Sequence, residues 1–189
     1  MVVTPKRTTL ERFLAMPEEK PALEFVDGEV VQKVSPSTPH SAVTYEFAAT
    51  VNNFARRRKL AWAFPEHRST YGGLSTVPDV AVYTWDRIPR DDAGRLSTQV
   101  FTPPDIAVEI WSPDQTFESN LVRCLWYVAN GVQVSIAIEP RQLLVVVFRP
   151  GTEPLTFQES GVLDLTDVIL GFSLDIGELL APLSPDWSP

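Results

Sequence analysis

Short apolar runs separated by polar segments dominate the chain and predict a set of β-strands. Five such runs stand out: residues 60–67 (LAWAFPEH), 78–85 (PDVAVYTW), 105–111 (DIAVEIW), 132–140 (VQVSIAIEP) and 142–150 (QLLVVVFRP). A hairpin is predicted for residues 22–34 (ALEFVDGEVVQKV), because Asp27-Gly28 is a favoured two-residue turn between apolar arms. The sequence therefore indicates a β-rich centre.

Three segments have helical spacing instead. The first follows Thr8, which we expect to cap it, and ends before Pro17. The second, within residues 35–59, is expected to begin at Thr38 as its cap and carries an apolar stripe through Val43, Phe47, Val51 and Phe54. The third spans residues 115–130 and ends at Gly131.

Helices and strands are interspersed without regular alternation, which indicates one sheet flanked by helices. This order predicts an α/β (α+β) fold with a central mixed sheet. The length of 189 residues fits a single domain, predicted over residues 1–180, with residues 181–189 as a loosely held tail.

Composition narrows the class of protein. The chain is 44% hydrophobic and 21% charged, as in ordinary globular proteins, and carries a net charge of −8. That charge argues against a broad nucleic-acid-binding surface but suits a protein that binds a cation through carboxylates. Cys124 is the single cysteine, which excludes an internal disulfide and a cysteine metal cage. With no membrane-length apolar run and no secretory signal, we expect a cytoplasmic protein.

Three acidic residues occupy positions where apolar residues are expected. Glu24 interrupts the first hairpin arm, Asp79 begins a strand, and Glu109 lies near the end of another. A buried carboxylate must be paired, hydrogen-bonded, neutralised or bound to a metal. Two converging carboxylates suit magnesium, whereas structural ion pairs would explain the same acids without any metal.

Four segments, in this order and spacing, resemble the Uma-two family of restriction-endonuclease-like proteins. They are ALEFVDGEVVQKVSPSTPH, VPDVAVY, PPDIAVEIWSPD and RCLWYVANGV. The family belongs to the PD-(D/E)XK nuclease superfamily, and the resemblance extends from about Leu23 to about Leu180. It implies a restriction-endonuclease-like fold with a magnesium site at strand ends.

The resemblance also implies a set of site residues. Asp79 and Glu109 match the acids that hold Mg²⁺ or Mn²⁺ in the superfamily, with the backbone carbonyl of Ile110 as a further ligand. Glu24 matches an acid that could be a third metal ligand or a pocket residue. His40 matches a histidine after the Ser-Pro loop, although a capping residue is the simpler interpretation.

The lysine positions depart from the pattern. The superfamily's lysine two residues after the glutamate is Trp111 here, and the family's lysine four residues before Tyr127 is Arg123. Arginine keeps the positive charge and can grip a phosphate, but it is a poor general base. We therefore assign the catalytic roles to Asp79, Glu109 and Arg123. Thr76 replaces an arginine that often precedes the Pro-Asp pair.

The helix of residues 115–130 poses a question of orientation. Phe117, Leu121, Cys124, Leu125 and Val128 form one apolar face. If this face packs on the sheet, Arg123 points outward. Because Val122 and Trp126 extend the apolar surface around the helix, we expect a second subunit to cover it, giving a homodimer. In that arrangement Arg123 is able to reach a site or an interface.

These observations favour a magnesium- or manganese-dependent endonuclease that hydrolyses nucleic-acid phosphodiester bonds, with DNA favoured over RNA and no membrane partner. One alternative is a catalytically degenerate nuclease fold that serves binding or assembly. Another is a metal-dependent hydrolase of a small polyanionic molecule. His67 and the basic run of residues 56–59 are interpreted as structural.

Overall fold

A computed structural model describes residues 7–113 and 115–188. The first six residues of the predicted domain, Asp114 of the Ser-Pro-Asp segment and Pro189 of the predicted tail lie outside this description. The elements in chain order are α1 (Leu10–Leu14), β1 (Leu23–Val26), β2 (Glu29–Gln32), α2 (Thr38–Ala55), β3 (Ala61–Pro65), β4 (Ser69–Tyr71), β5 (Leu74–Thr76), β6 (Val80–Thr84), β7 (Ile106–Ile110), α3 (Phe117–Ala129), β8 (Val134–Glu139), β9 (Leu144–Phe148), β10 (Leu155–Gln158), β11 (Val162–Asp164), β12 (Ser173–Asp175), α4 (Ile176–Leu180) and a 3₁₀ helix (Ala181–Leu183).

A six-stranded mixed sheet forms the centre of the molecule, in the order β10-β9-β8-β7-β6-β3. Only the β7–β8 pair among these described strands is parallel, and α3 makes the crossover between them. The other neighbours are antiparallel. The predicted central mixed sheet with flanking helices is confirmed.

A smaller antiparallel sheet, in the order β2-β1-β5-β4, lies beside the central one. Its first hairpin turns at Asp27 and Gly28, whose φ values of 50° and 84° are both positive, as a tight two-residue hairpin turn requires. The predicted turn is therefore confirmed. Gly72 and Gly73 connect β4 to β5.

The main core lies between α2 and the central sheet. Val43, Phe47 and Val51 of the helix are fully buried against strand residues that include Val80 and Val108. This stripe matches the predicted apolar face of α2. The opposite face of the sheet carries α3, whose Cys124 and Tyr127 are also fully buried.

Both predicted caps are wrong by one residue. Thr9, not Thr8, caps α1 by accepting the Arg12 N–H, and Ser37, not Thr38, caps α2 by accepting the His40 N–H. In each pair both neighbours have a hydroxyl that suits an N-cap, so the choice depends on where the backbone enters the helix.

Several short elements were not predicted, namely β4, β5, β10, β11, β12 and α4. Most of these strands have three residues, too few to display an alternating pattern.

Near the C-terminal end of the described residues, Leu183 packs against the main core. The division into residues 1–180 and a tail stays a prediction.

Within the described part of the chain, no helix is both long and apolar enough to cross a lipid bilayer.

Candidate active site

The pairing of β6 with β7 brings the two predicted metal ligands together. Val80 lies opposite Val108, so Asp79, one residue before β6, lies opposite Glu109. The Asp79 N–H donates to the Val108 carbonyl at 2.9 Å, which extends the pairing to this position. Since side chains alternate along a strand, both carboxylates project from the face opposite the α2 core. The two acids thus point into one shared space.

This space is a cavity of about 930 Å³. Glu24 of β1, Lys33 after β2, His40 of α2 and Arg123 of α3 line it together with the two acids. A small number of convergent charged groups in a sizeable cavity is typical of an active site. The other lining residues belong mainly to the segments 18–22 and 31–36.

Three groups surround the Asp79 carboxylate, which is almost fully buried. The Lys33 ammonium contacts Oδ1 at 2.7 Å, while His40 Nε2 lies 3.0 Å from Oδ2 and the Ile110 N–H donates to Oδ2 at 2.7 Å. Burial alone would raise the pKa of the Asp79 carboxyl, but Lys33 and His40 hold it well below its usual range. Asp79 is therefore a fixed negative charge.

Glu109 has a different environment, although it is equally buried. It accepts a hydrogen bond of 2.6 Å from the Tyr127 hydroxyl, and the nearest Arg123 nitrogen is 3.7 Å away. Burial raises the pKa of the Glu109 carboxyl to about 7, and the nearby Asp79 charge adds to the effect while Arg123 opposes it. Near neutral pH this carboxyl therefore gains or loses its proton readily.

Glu24 and Arg123 form a bidentate ion pair that joins β1 to α3. The two guanidinium nitrogens lie 2.7 and 2.8 Å from the two Glu24 oxygens, and the Val77 N–H also donates to Glu24 at 2.7 Å. Burial opposes the charged guanidinium, but Glu109 and Glu24 together raise the pKa of Arg123. In this arrangement Glu24 is a partner of Arg123, and its role as a third metal ligand stays a prediction.

The structure decides the orientation of α3, which the sequence left open. Four residues of the predicted apolar face pack on the sheet, namely Phe117, Leu121, Cys124 and Val128, and only the fifth, Leu125, is exposed, at 54%. Arg123 lines the cavity even though this apolar face packs on the sheet. Glu24 of the small sheet pairs with Arg123, and Glu109 of the central sheet accepts from Tyr127. Because α3 is apolar around most of its surface, these polar contacts determine which side turns inward.

Lys33 is the site residue that sequence reasoning missed. Its Nζ also donates to the Val77 carbonyl at 2.7 Å, and its side chain is 12% exposed. Burial would lower the pKa of the Lys33 ammonium, yet Asp79, Glu109 and Glu24 raise it above the ordinary value. One feature of the sequence pointed to Lys33: it directly follows the second arm of the hairpin, inside the first segment that resembles the Uma-two family.

Three further candidates from the sequence are His40, His67 and the basic run of residues 56–59. His40 does not cap α2, and its ring contacts Asp79 in the cavity. His67 packs its ring against Phe64 and Tyr83, consistent with the structural interpretation, and burial lowers its pKa. The basic run of residues 56–59 follows the far end of α2, about 27 Å along the helix from its first turn at 1.5 Å per residue.

The donor set suits one hard divalent cation. Across residues 7–113 and 115–188, no cluster of three or more histidine, cysteine, aspartate or glutamate side chains is arranged as a metal cage. Magnesium, however, commonly takes one or two carboxylates and completes its coordination with water or substrate oxygens. Asp79 and Glu109 supply two such carboxylates. The three acids Glu24, Asp79 and Glu109 also outnumber the cations Lys33 and Arg123, so a bound divalent cation would offset the excess of acidic groups.

We predict that Arg123 and Glu24 stabilise the fold as a unit. Arg123→Met should reduce the free energy of unfolding by about 3 kcal/mol, because it leaves buried carboxylates without a partner. The double variant Glu24→Gln/Arg123→Met should recover a large part of that loss. Urea denaturation of the single and double variants in chelator measures both effects, and strictly additive costs would contradict the coupling.

We also predict a pH dependence of stability from Glu109. Because the folded pKa of about 7 exceeds the ordinary value of 4.5, its contribution is present at pH 4.5 and is lost as the pH rises through 7. In chelator, the wild type should lose about 2 kcal/mol more than Glu109→Gln between pH 5 and pH 8. Glu118→Gln, on the exposed side of α3, is the control and should follow the wild type. Parallel curves for the wild type and Glu109→Gln would rule out this assignment.

Comparison with known proteins agrees with the fold and the predicted family. The sequence profile of the Uma2 family, described as "Putative restriction endonuclease", matches residues 10–177. No curated protein sequence matches the chain.

Two solved structures give the structural comparison. One is the 1.96 Å crystal structure of a "putative nuclease belonging to DUF820" from Anabaena variabilis ATCC 29413. It shares 34% identity and a TM-score of 0.88, over 94% of this chain and 99% of that one. A cryo-EM structure of a DrdV–DNA complex is far less similar, with 13% identity and a TM-score of 0.36 over 76% of this chain and 11% of that one. The extent of the profile match and the identity with the Anabaena protein show that this chain belongs to the Uma2 family of restriction-endonuclease-like proteins.

Proposed function

We propose that this protein is a magnesium- or manganese-dependent endonuclease that hydrolyses phosphodiester bonds in nucleic acid, with DNA favoured over RNA. The observation that supports this most strongly is the position of Asp79 directly opposite Glu109, with both carboxylates in one cavity. The Uma2 family membership and the neighbour described as a nuclease point to the same class of reaction.

Asp79, Glu109 and the backbone carbonyl of Ile110 would hold the metal. A bound divalent cation supplies activation of water and stabilisation of the negative charge that develops on the phosphoryl oxygens. The low pKa of Asp79 keeps that ligand ionised, so it is ready to bind a cation at any pH near neutrality. Burial raises the pKa of Glu109 to about 7, so this carboxylate would be available to the metal once it has lost its proton.

The remaining charged residues position the two ligands. His40 and the Ile110 N–H fix the orientation of the Asp79 carboxylate, and the Tyr127 hydroxyl fixes that of Glu109. Arg123 is held by Glu24 beside Glu109 and supplies positive charge for a phosphate. Its high pKa excludes it as a general base, so its role is electrostatic.

The charge of the cavity supports a requirement for metal. Its described lining contains six acidic residues and only three lysines or arginines. A polyanionic substrate is repelled by such a surface unless cations neutralise part of it. A divalent ion at Asp79 and Glu109 would place that positive charge where the phosphodiester must bind.

Asp79→Asn tests the proposal. We expect a magnesium- or manganese-dependent cleavage of DNA that stops with a chelator and falls by at least about 100-fold in this variant, because metal catalysis contributes several kcal/mol. Asp86→Asn is the matched control, since Asp86 is exposed and follows the opposite end of β6.

A mixed pool of double-stranded DNA, single-stranded DNA and RNA should be used as substrate. Equal activity of Asp79→Asn and the wild type would refute the metal assignment. Metal binding without cleavage of any member of the pool would favour the alternative of a nuclease fold that serves binding or assembly.

We also propose a homodimer. Val122 and Leu125, one turn apart on α3, are 61% and 54% exposed. Burying this apolar pair against a second copy would remove it from water. Sedimentation equilibrium should show a dimer that Val122→Glu converts to a monomer, while an unchanged dimer would place the interface elsewhere.

A further inference from the structure

Among the described residues, Lys33 is the donor to Asp79 Oδ1. Oδ2 of Asp79 accepts the Ile110 N–H and faces His40 Nε2, whereas the contact to Oδ1 comes from Lys33 Nζ at 2.7 Å. The ammonium is anchored on its other side by the Val77 carbonyl. A positive charge is therefore already bound to the carboxylate that the proposed function assigns to the metal.

The two cations of the site differ in how firmly they are fixed. Arg123 forms two parallel hydrogen bonds with Glu24, a geometry that holds the guanidinium in one plane. Lys33 also makes two contacts, to Asp79 Oδ1 and to the Val77 carbonyl, but both end on one ammonium nitrogen at the tip of a flexible stem. Lys33 is thus the cation that can leave its carboxylate while the rest of the site keeps its arrangement.

We propose that Lys33 is an internal cation that competes with the divalent metal for Asp79 and thereby sets the metal affinity of the site. This inference rests on the proposed function, because it assumes that Asp79 binds the metal. Metal binding releases the ammonium from Oδ1. Since Lys33 lines the cavity, its charge then becomes available to an anion bound there.

Isothermal titration with Mg²⁺ tests the competition directly. Lys33→Met removes the charge and keeps a long apolar side chain, so it should bind Mg²⁺ at least about tenfold more tightly than the wild type at low ionic strength. Lys20→Met is the matched control, because Lys20 lines the same cavity but is exposed and has no contact with Asp79. Its Mg²⁺ affinity should stay within about twofold of the wild type.

A second measurement uses the unmodified protein, so it does not depend on how a variant folds. The sequence contains only four lysines, Lys6, Lys20, Lys33 and Lys59, and mass spectrometry can follow their acetylation separately. Saturating Mg²⁺ should increase the acetylation rate of Lys33 and leave that of Lys20 and Lys59 unchanged. A Lys33 rate that Mg²⁺ lowers or does not change overturns the competition.

The outcomes separate this inference from the proposed function. Equal Mg²⁺ affinity in the wild type and Lys33→Met rejects the competition and leaves the metal site in place. Binding by Lys33→Met alone supports the competition and shows that Lys33 blocks the wild-type site. Absence of Mg²⁺ binding in both proteins rejects the competition and the proposed function together.

Discussion

The antiparallel pairing of β6 with β7 is the constraint on which the site depends. It places Asp79 opposite Glu109 on one face of the sheet, and a shift of one residue in this register would turn one of the two carboxylates into the apolar core. The same pairing buries Val80 and Val108 under α2, so the register that stabilises the core also creates the site. Stability and proposed chemistry therefore share one set of backbone contacts.

Bringing carboxylates together in a buried place is unfavourable unless cations accompany them. Lys33 and Arg123 provide this compensation from two different parts of the chain, and each also connects elements that are distant in sequence. Arg123 joins α3 to β1, and Lys33 joins the end of the β1–β2 hairpin to the start of β6. The small sheet is thus fixed against the central sheet partly through the charges of the site. The two acids differ in consequence: Lys33 and His40 hold the pKa of Asp79 below its usual range, while burial raises the pKa of Glu109 to about 7.

Much of the fold could be predicted because its signals are local. The Asp27-Gly28 turn, the apolar stripe of α2 and the acids in strands β6 and β7 are visible in short windows of sequence, and the resemblance to the Uma2 family joined them into one site. The orientation of α3 could not be predicted from its own sequence. Its apolar residues surround most of the helix, so the partners Glu24 and Glu109, distant in sequence, decide which side turns inward. Lys33 was missed for a related reason: its function depends on a contact with Asp79, 46 residues away. The three-residue strands are likewise defined by their neighbours and not by a pattern of their own.

We propose that Asp79 and Glu109 together bind one divalent ion. Anomalous diffraction from crystals soaked in Mn²⁺, recorded at the manganese absorption edge, tests it most directly. We expect a manganese peak between the two carboxylates, with Lys33 withdrawn from Asp79 Oδ1. A manganese peak at another place in the molecule, with Lys33 still bound to Asp79, would contradict it.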